Sequence, residues 1–140
     1  MSRMLWLLLV GLVLSACGGH AKRKRMAEIS QDLGAALIVK QQYRQALAEL
    51  LKSVELDATN PRTYYHLGYA YLYGFKKPKE AEEALRLAIK HSKKPYSEAH
   101  NLLGLTLNEQ QRYDDAIAQF ETALTNILYP TPQFAQQNLA

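Results

Sequence analysis

The sequence predicts an all-α protein, a solenoid of stacked helical hairpins, and two series of landmarks carry that expectation. Leu-Gly recurs as Leu33-Gly34, Leu67-Gly68 and Leu103-Gly104, with Leu139-Ala140 in phase, at spacings of 34, 36 and 36 residues. Ala46, Ala81 and Ala116 repeat every 35 residues; four positions on comes Leu50, Leu85 or Phe120, and seven on Ser53, Ala88 or Ala123. A fixed period of this length marks one supersecondary unit copied along a chain. The 140 residues are 48% apolar and 21% charged, which suits a core-forming protein and excludes a wholly disordered one.

The N-terminal stretch comes first. Met1–Ala16 reads as a signal peptide: Arg3 gives a positive start, Leu5–Leu14 is an apolar run of ten, and small Ser15-Ala16 close it. Such a run is too short to span a hydrocarbon core, which needs about 20 apolar residues. The single cysteine, Cys17, follows directly, and a count of one excludes a disulfide scaffold or a Cys-rich zinc site. Leu14-Ser15-Ala16-Cys17-Gly18 resembles the lipobox of bacterial lipoproteins. That resemblance implies cleavage before Cys17, diacylglycerol on its sulfur and a further acyl chain, such as palmitate, on its amine. Gly18 in place of Asp implies outer-membrane sorting by the enteric pattern. Two or more acyl chains hold a protein stably at a bilayer.

Residues 17–26 then form a lipidated basic tether containing Lys22-Arg23-Lys24-Arg25. Two readings of these charges stand. Each contributes about 1 kcal/mol of attraction to an anionic lipid surface, or they only keep a linker solvated. A nucleic-acid role conflicts with the export signal.

Residues 27–140 divide into units 27–60, 61–96 and 97–132 and a partial fourth, 133–140. Both segments of a unit have helical spacing: Tyr64, Leu67, Gly68 and Tyr71 share one face, as do Ala116, Phe120, Ala123 and Leu124. Asn60-Pro61, Lys94-Pro95 and Pro130-Thr131-Pro132 break the helices, since proline bars its predecessor from helical geometry. Glu80, Glu82, Glu83, Asp114 and Asp115 sit in opening turns, where acids suit the helix dipole.

Paired antiparallel helices of this length with a small residue at the crossing resemble the tetratricopeptide repeat (TPR). The resemblance covers Ala27–Ala140 and sets Gly34, Gly68 and Gly104 at the crossings with Ala46, Ala81 and Ala116 opposite. Ser30, Tyr64 and His100 replace the family's tryptophan, and the middle unit has an extra residue in its Gly74–Lys79 turn. The tail Gln133–Ala140 either docks as a rudimentary cap or begins a repeat that is cut short; the unfinished contacts of Leu139-Ala140 favour truncation.

Chemistry is sparse. His20, His66, His91 and His100 show no metal-ligand spacing, no phosphate loop is present, and no nucleophile–base pair is suggested. The expectation is no enzyme, no catalytic residue, no metal, no cofactor and no small-molecule substrate. His100 reads as a packed histidine.

Five of nine tyrosines fall between residues 64 and 73. At 100° per residue, Tyr64, Leu67, Gly68 and Tyr71 serve packing, whereas Tyr65, Tyr69, Leu72 and Tyr73 occupy the adjacent arc. In stacked repeats that arc lines the concave groove, joined by Asn101, Leu105 and Asn108 of unit three. Rigid rings bordered by amides suit a peptide or helix partner; the competing reading is that the rings only pack against neighbouring helices. Charge alternates, with unit one at −2, unit two at +5 and unit three at −4. Lys76, Lys77, Lys79, Lys90, Lys93 and Lys94 suggest a basic band for an acidic partner. Scattered solubilising lysines are the alternative.

Tyr96-Ser97-Glu98-Ala99-His100-Asn101-Leu102-Leu103-Gly104-Leu105 and Ala123–Pro132 resemble the corresponding helix and "YPTP" break of type IV pilus pilotins, the PilF/PilW/Tgl type. That resemblance implies an outer-membrane lipoprotein on the periplasmic face that assists localisation and assembly of the secretin. The alternatives are a periplasmic TPR adaptor lipoprotein scaffolding cell-envelope enzymes, and the N-terminal part of a longer enzyme. The net charge of +4 is uneven. Without Arg3 and Lys22–Arg25 the chain has 12 basic residues against 13 acidic, so the basic balance belongs to the export end.

Overall fold

The computed structural model describes residues 2–125 and 132–139, with side chains from residue 19 onward. Among the described residues seven α-helices follow one another: α1 (Ser2–Val39), α2 (Tyr43–Leu56), α3 (Pro61–Tyr69), α4 (Pro78–His91), α5 (Ser97–Glu109), α6 (Tyr113–Leu124) and α7 (Pro132–Leu139). A π-helical segment, Ala70–Gly74, extends α3. Helices α1/α2, α3/α4 and α5/α6 pack as hairpins, and each hairpin packs on the next. No strand occurs among the described residues.

The crossings rest on glycine. A Cβ on Gly34 would lie 2.6 Å from Leu50 Cγ, and one on Gly68 would lie 2.5 Å from Leu85 Cγ; one on Gly104 would collide with the Phe120 ring. The residue opposite each glycine is therefore the large one four positions after the landmark alanine. Ala46, Ala81 and Ala116 are buried beside it, and the Ala46 carbonyl also lies 3.4 Å from a Cβ placed on Gly34. A large side chain on one helix fills the notch left on the other, as dense packing requires.

Two large clusters form most of the core, and a small third lies under α7. Ile38, Ala46, Leu50, Tyr64 and Leu67 join units one and two; Leu72, Leu85, Leu103, Leu107 and Phe120 join units two and three. A polar staple sits at the first junction. Ser53 Oγ donates to Ala27 O at 2.8 Å and lies 3.0 Å from Thr63 Oγ1, so Thr63 donates to Ser53.

The hairpin turns show what the repeat length hides. Units one and three turn identically: Gln42 N–H reaches Leu37 O at 2.9 Å and Arg112 N–H reaches Leu107 O at 3.0 Å. Gln41 (φ 58°) and Gln111 (φ 60°) take the left-handed position of this helix end. In the middle unit the extra residue is taken up before the turn, by the π segment, where Phe75 N–H reaches Ala70 O at 3.2 Å. The expected insertion in the Gly74–Lys79 loop is thus a widened last turn of a helix, the usual way an α-helix absorbs one residue. The Tyr43 ring lies directly against Gly74.

The connection into α3 is locally determined. Asp57 Oδ1 accepts from Thr59 N and Thr59 Oγ1 at 2.9 and 2.6 Å. Asn60 Oδ1 caps α3 by accepting from Arg62 N at 3.0 Å, with Pro61 in the first turn.

Residues 17–26, expected as a tether, are helical within α1, which runs unbroken into unit one. Their exposed basic side chains divide. Arg23 donates to Glu55 O at 3.1 Å, at the carbonyl end of α2, where a cation is favoured. Lys24 faces Asp57, whose carboxyl is held below its usual range by the Thr59 hydroxyl first and by Lys24 and His20 more weakly. Lys22 and Arg25 point elsewhere on the helix. At the other end α7 docks on α6: Ala135 is buried with Ala123, and Leu139 packs on the second cluster. Of the expected break at Pro130-Thr131-Pro132, the first two residues lie outside the described residues, and Pro132 opens α7.

Candidate interaction surface

The concave face is built from the first helices of the units, α1, α3 and α5, whose outward arcs carry the residues singled out from the sequence. Tyr65 sits between His66 and Tyr96, with ring centroids 5.4 and 5.6 Å away. Tyr69 and Tyr73 are paired at 4.6 Å. These rings form a packed aromatic row in which Tyr65 and Tyr69 are half-buried and Tyr73 is exposed. Burial raises the Tyr73 hydroxyl pKa, with Tyr69 and Glu109 adding to it.

Tyr73, Leu105 and Asn108 converge with Lys76, Pro78 and Glu109 on a cleft of about 120 Å³ between the π segment and α5. Leu72 forms its floor but is 5% exposed and belongs to the core, so its expected role as a contact reduces to shaping that floor. Lys76 lies 6.0 Å over the Tyr73 ring. Asn101 is already engaged: its Oδ1 accepts from Asn138 Nδ2 of α7 at 3.0 Å. The Leu105 side chain is half-buried against the second cluster.

A larger cleft, about 580 Å³, opens at the other end of these helices. Lys24, Glu28, Gln31 and Asp32 of α1, the Asp57–Arg62 connection and His91–Lys94 line it. Arg62 and Asp32 pair across it at 3.7 Å. Gln31 is 1% exposed, and its Nε2 is a buried donor without a partner. The sequence reading did not single out this cleft, because much of its wall is made of loop residues that share no helical register. His66 stands near the Arg62–Asp32 pair, and its pKa is lowered to about 4 by burial first and Arg62 second.

The expected basic band does not form. Lys76, Lys77 and Lys79 lie at the start of α4 and Lys90, Lys93 and Lys94 at its end, about 20 Å apart at 1.5 Å per residue. Lys77 is also paired with Glu80 at 3.0 Å. The second junction instead has a charge network. Glu82 accepts from Arg86, Arg112 and Gln110, with its closest contacts at 2.7, 2.9 and 2.9 Å, and Arg112 also pairs with Asp115. Burial alone would raise the Glu82 pKa, but these hydrogen bonds outweigh it and lower it.

His100 Nδ1 meets Gln119 Oε1 at 2.9 Å, tying α5 to α6, which is a structural arrangement. Among the described residues no group of His, Cys, Asp and Glu is placed to hold a metal, and no helix is long and apolar enough to cross a membrane. Cys17 falls within the α1 backbone; its side chain lies outside the described set.

Stacked helical hairpins, glycine-mediated crossings and an aromatic concave face define a helical-repeat interaction scaffold. Family models for the TPR match residues 34–72 and 72–131, and the chain belongs to the tetratricopeptide-repeat family. Proteins of this kind are generally non-enzymatic scaffolds for protein contacts. No curated protein matches the chain. Among solved structures it is similar to PilF of Pseudomonas aeruginosa, at 25% identity and a TM-score of 0.76, over 84% of this chain and 52% of that one. It is similar to PilW, described as a widely conserved type IV pilus biogenesis factor, at 29% identity and a TM-score of 0.74, over 81% of this chain and 51% of that one. The chain therefore spans about half the length of these two. The first TPR of Spaghetti (RPAP3), bound to an HSP90 peptide, shares the fold at 23% identity and a TM-score of 0.76, over 83% of this chain and 89% of that one.

Proposed function

We propose that this chain is an outer-membrane lipoprotein, anchored through acylated Cys17 on the periplasmic face, whose repeats assist type IV pilus biogenesis by helping the secretin localise and assemble. The observation that carries this reading is the likeness to PilF and PilW over more than four-fifths of the chain, joined to the lipobox-like Leu14–Gly18 directly ahead of the repeats. Acylation would keep the concave face at the membrane where an outer-membrane ring assembles. Tyr65, Tyr69 and Tyr73 offer ring edges, Leu105 an apolar contact and Asn108 an amide to a protein segment, recognised by aromatic burial with polar orientation. The scaffold acts by binding alone, with no catalytic step, metal or cofactor.

The decisive experiment deletes the protein and measures heat-resistant secretin multimers in the outer membrane. Their loss, with at most partial recovery by a Cys17→Ser chain that cannot be acylated, is the expected result. Unchanged multimers in the deletion strain would sink this reading.

A further inference from the structure

We infer that the free N-terminal face of unit one is a membrane-docking surface that seats the solenoid on an anionic lipid bilayer. This rests on the proposed anchoring at Cys17. At 100° per residue along α1, Lys22, Arg25, Met26, Ile29, Leu33 and Ala36 fall within one 100° arc. All six are exposed, and three are large and apolar: Met26 is 44% exposed, Ile29 61% and Leu33 46%. The opposite side of the same helix is fully used. Ala27, Ser30, Gly34 and Ile38 are buried, and Arg23 holds the end of α2.

No preceding repeat covers the outward arc in the described structure, so its apolar residues face water. Its composition selects the occupant. Apolar side chains flanked at the end nearest Cys17 by Lys22 and Arg25 form a short interfacial helix face, with basic groups at headgroup level and Met26, Ile29 and Leu33 below them. A second copy of this chain would bring the same two cations to a self-complementary contact, where like charges oppose association. The lipid surface satisfies both the charge and the apolar area.

The test uses the full processed protein on vesicles of phosphatidylglycerol or of phosphatidylcholine. Ile29→Cys and Leu33→Cys report docking through their rate of reaction with a water-soluble maleimide mass tag, and Asp114→Cys reports the distant α6. Docking slows tagging of Cys at 29 and 33 by about tenfold or more on anionic vesicles only, leaves 114 unchanged, and is lost when Lys22→Glu and Arg25→Glu are added. Equal rates on both vesicles overturn the inference. Protection that instead rises with protein concentration in the absence of vesicles also overturns it, in favour of a second copy. The otherwise wild-type chain reads the anchor separately: acylated Cys17 takes no tag, and a chain that takes one refutes acylation without touching the docking result.

Discussion

Two buried serines differ only in their partners, and their substitution should have opposite signs. Ser53 spends its proton on Ala27 O and receives one from Thr63. Ser53→Ala strands both groups in the core and should cost about 1–3 kcal/mol. Ser97 is 2% exposed and its hydroxyl has no partner. Ser97→Ala removes a desolvated group and should be neutral or stabilising by up to about 1 kcal/mol. Urea denaturation of both variants checks the pair; equal destabilisation would refute the assignment. Gln41 and Gln111 hold left-handed conformations that cost an L-residue roughly 1 kcal/mol. Either residue changed to Gly should therefore raise the urea midpoint. None of this was legible from residue types, because Ser53 stands in register with Ala88 and Ala123 and only the neighbouring backbone decides whether a hydroxyl there is satisfied.

At the scale of elements, the sequence registers three hairpins through glycine, alanine and proline positions, and the helices fall on those positions. What it left illegible is where a helix is perturbed. The surplus residue of unit two was visible as a spacing of 13 from Gly68 to Ala81, against 12 from Gly34 to Ala46 and from Gly104 to Ala116, yet spacing alone does not say whether a loop or a helix takes it up. Tyr43 seated on Gly74 fixes the answer, because the widened turn brings its backbone under that ring. Gly74→Ala should accordingly destabilise by about 1–3 kcal/mol through overpacking, whereas Gly19→Ala, with open space around it, should not. Thermal unfolding followed by circular dichroism separates them. The helical course of residues 17–26 was hidden for a related reason: Arg23 docks on a main-chain carbonyl, and carbonyls leave no trace in a pattern of side chains.

For the whole molecule, the candidate surface was half legible. Helical register selected Tyr65, Tyr69, Tyr73, Leu105 and Asn108, because 100° per residue is a property of any α-helix. It could not foresee that Leu72 would sink into the core, that Asn101 would bind Asn138, or that α4 would split the lysines between two ends. Two pH-linked features follow from the assembled fold. His66 is held neutral, with a pKa of about 4 against an ordinary 6.5. The unfolded chain binds more protons between those values, so stability is complete above pH 6.5 and falls toward pH 4, by on the order of 2 kcal/mol. His66→Gln should flatten this slope in denaturation midpoints taken across the window; an unchanged slope would assign the loss to other groups. Glu82, whose pKa is lowered, acts in the same direction at lower pH: its contribution is present above the ordinary carboxylate range and lost as the group is protonated. Glu82→Gln should loosen unit three from unit two, since Arg112 and Gln110 reach Glu82 across that junction. Hydrogen exchange in α5 and α6 should rise more than in α1 and α2.

The unbroken α1 also sets a length. An extended strand over the ten steps from Cys17 to Ala27 would reach about 33 Å, and a helix spans about 15 Å. If the chain is fixed at Cys17, its repeats are held close against the bilayer rather than swung on a leash. The direction in which the tyrosine row faces is then transmitted mechanically from the anchor. A glycine-rich replacement of residues 20–25 would keep the anchor and the fold of the later units, but release that direction.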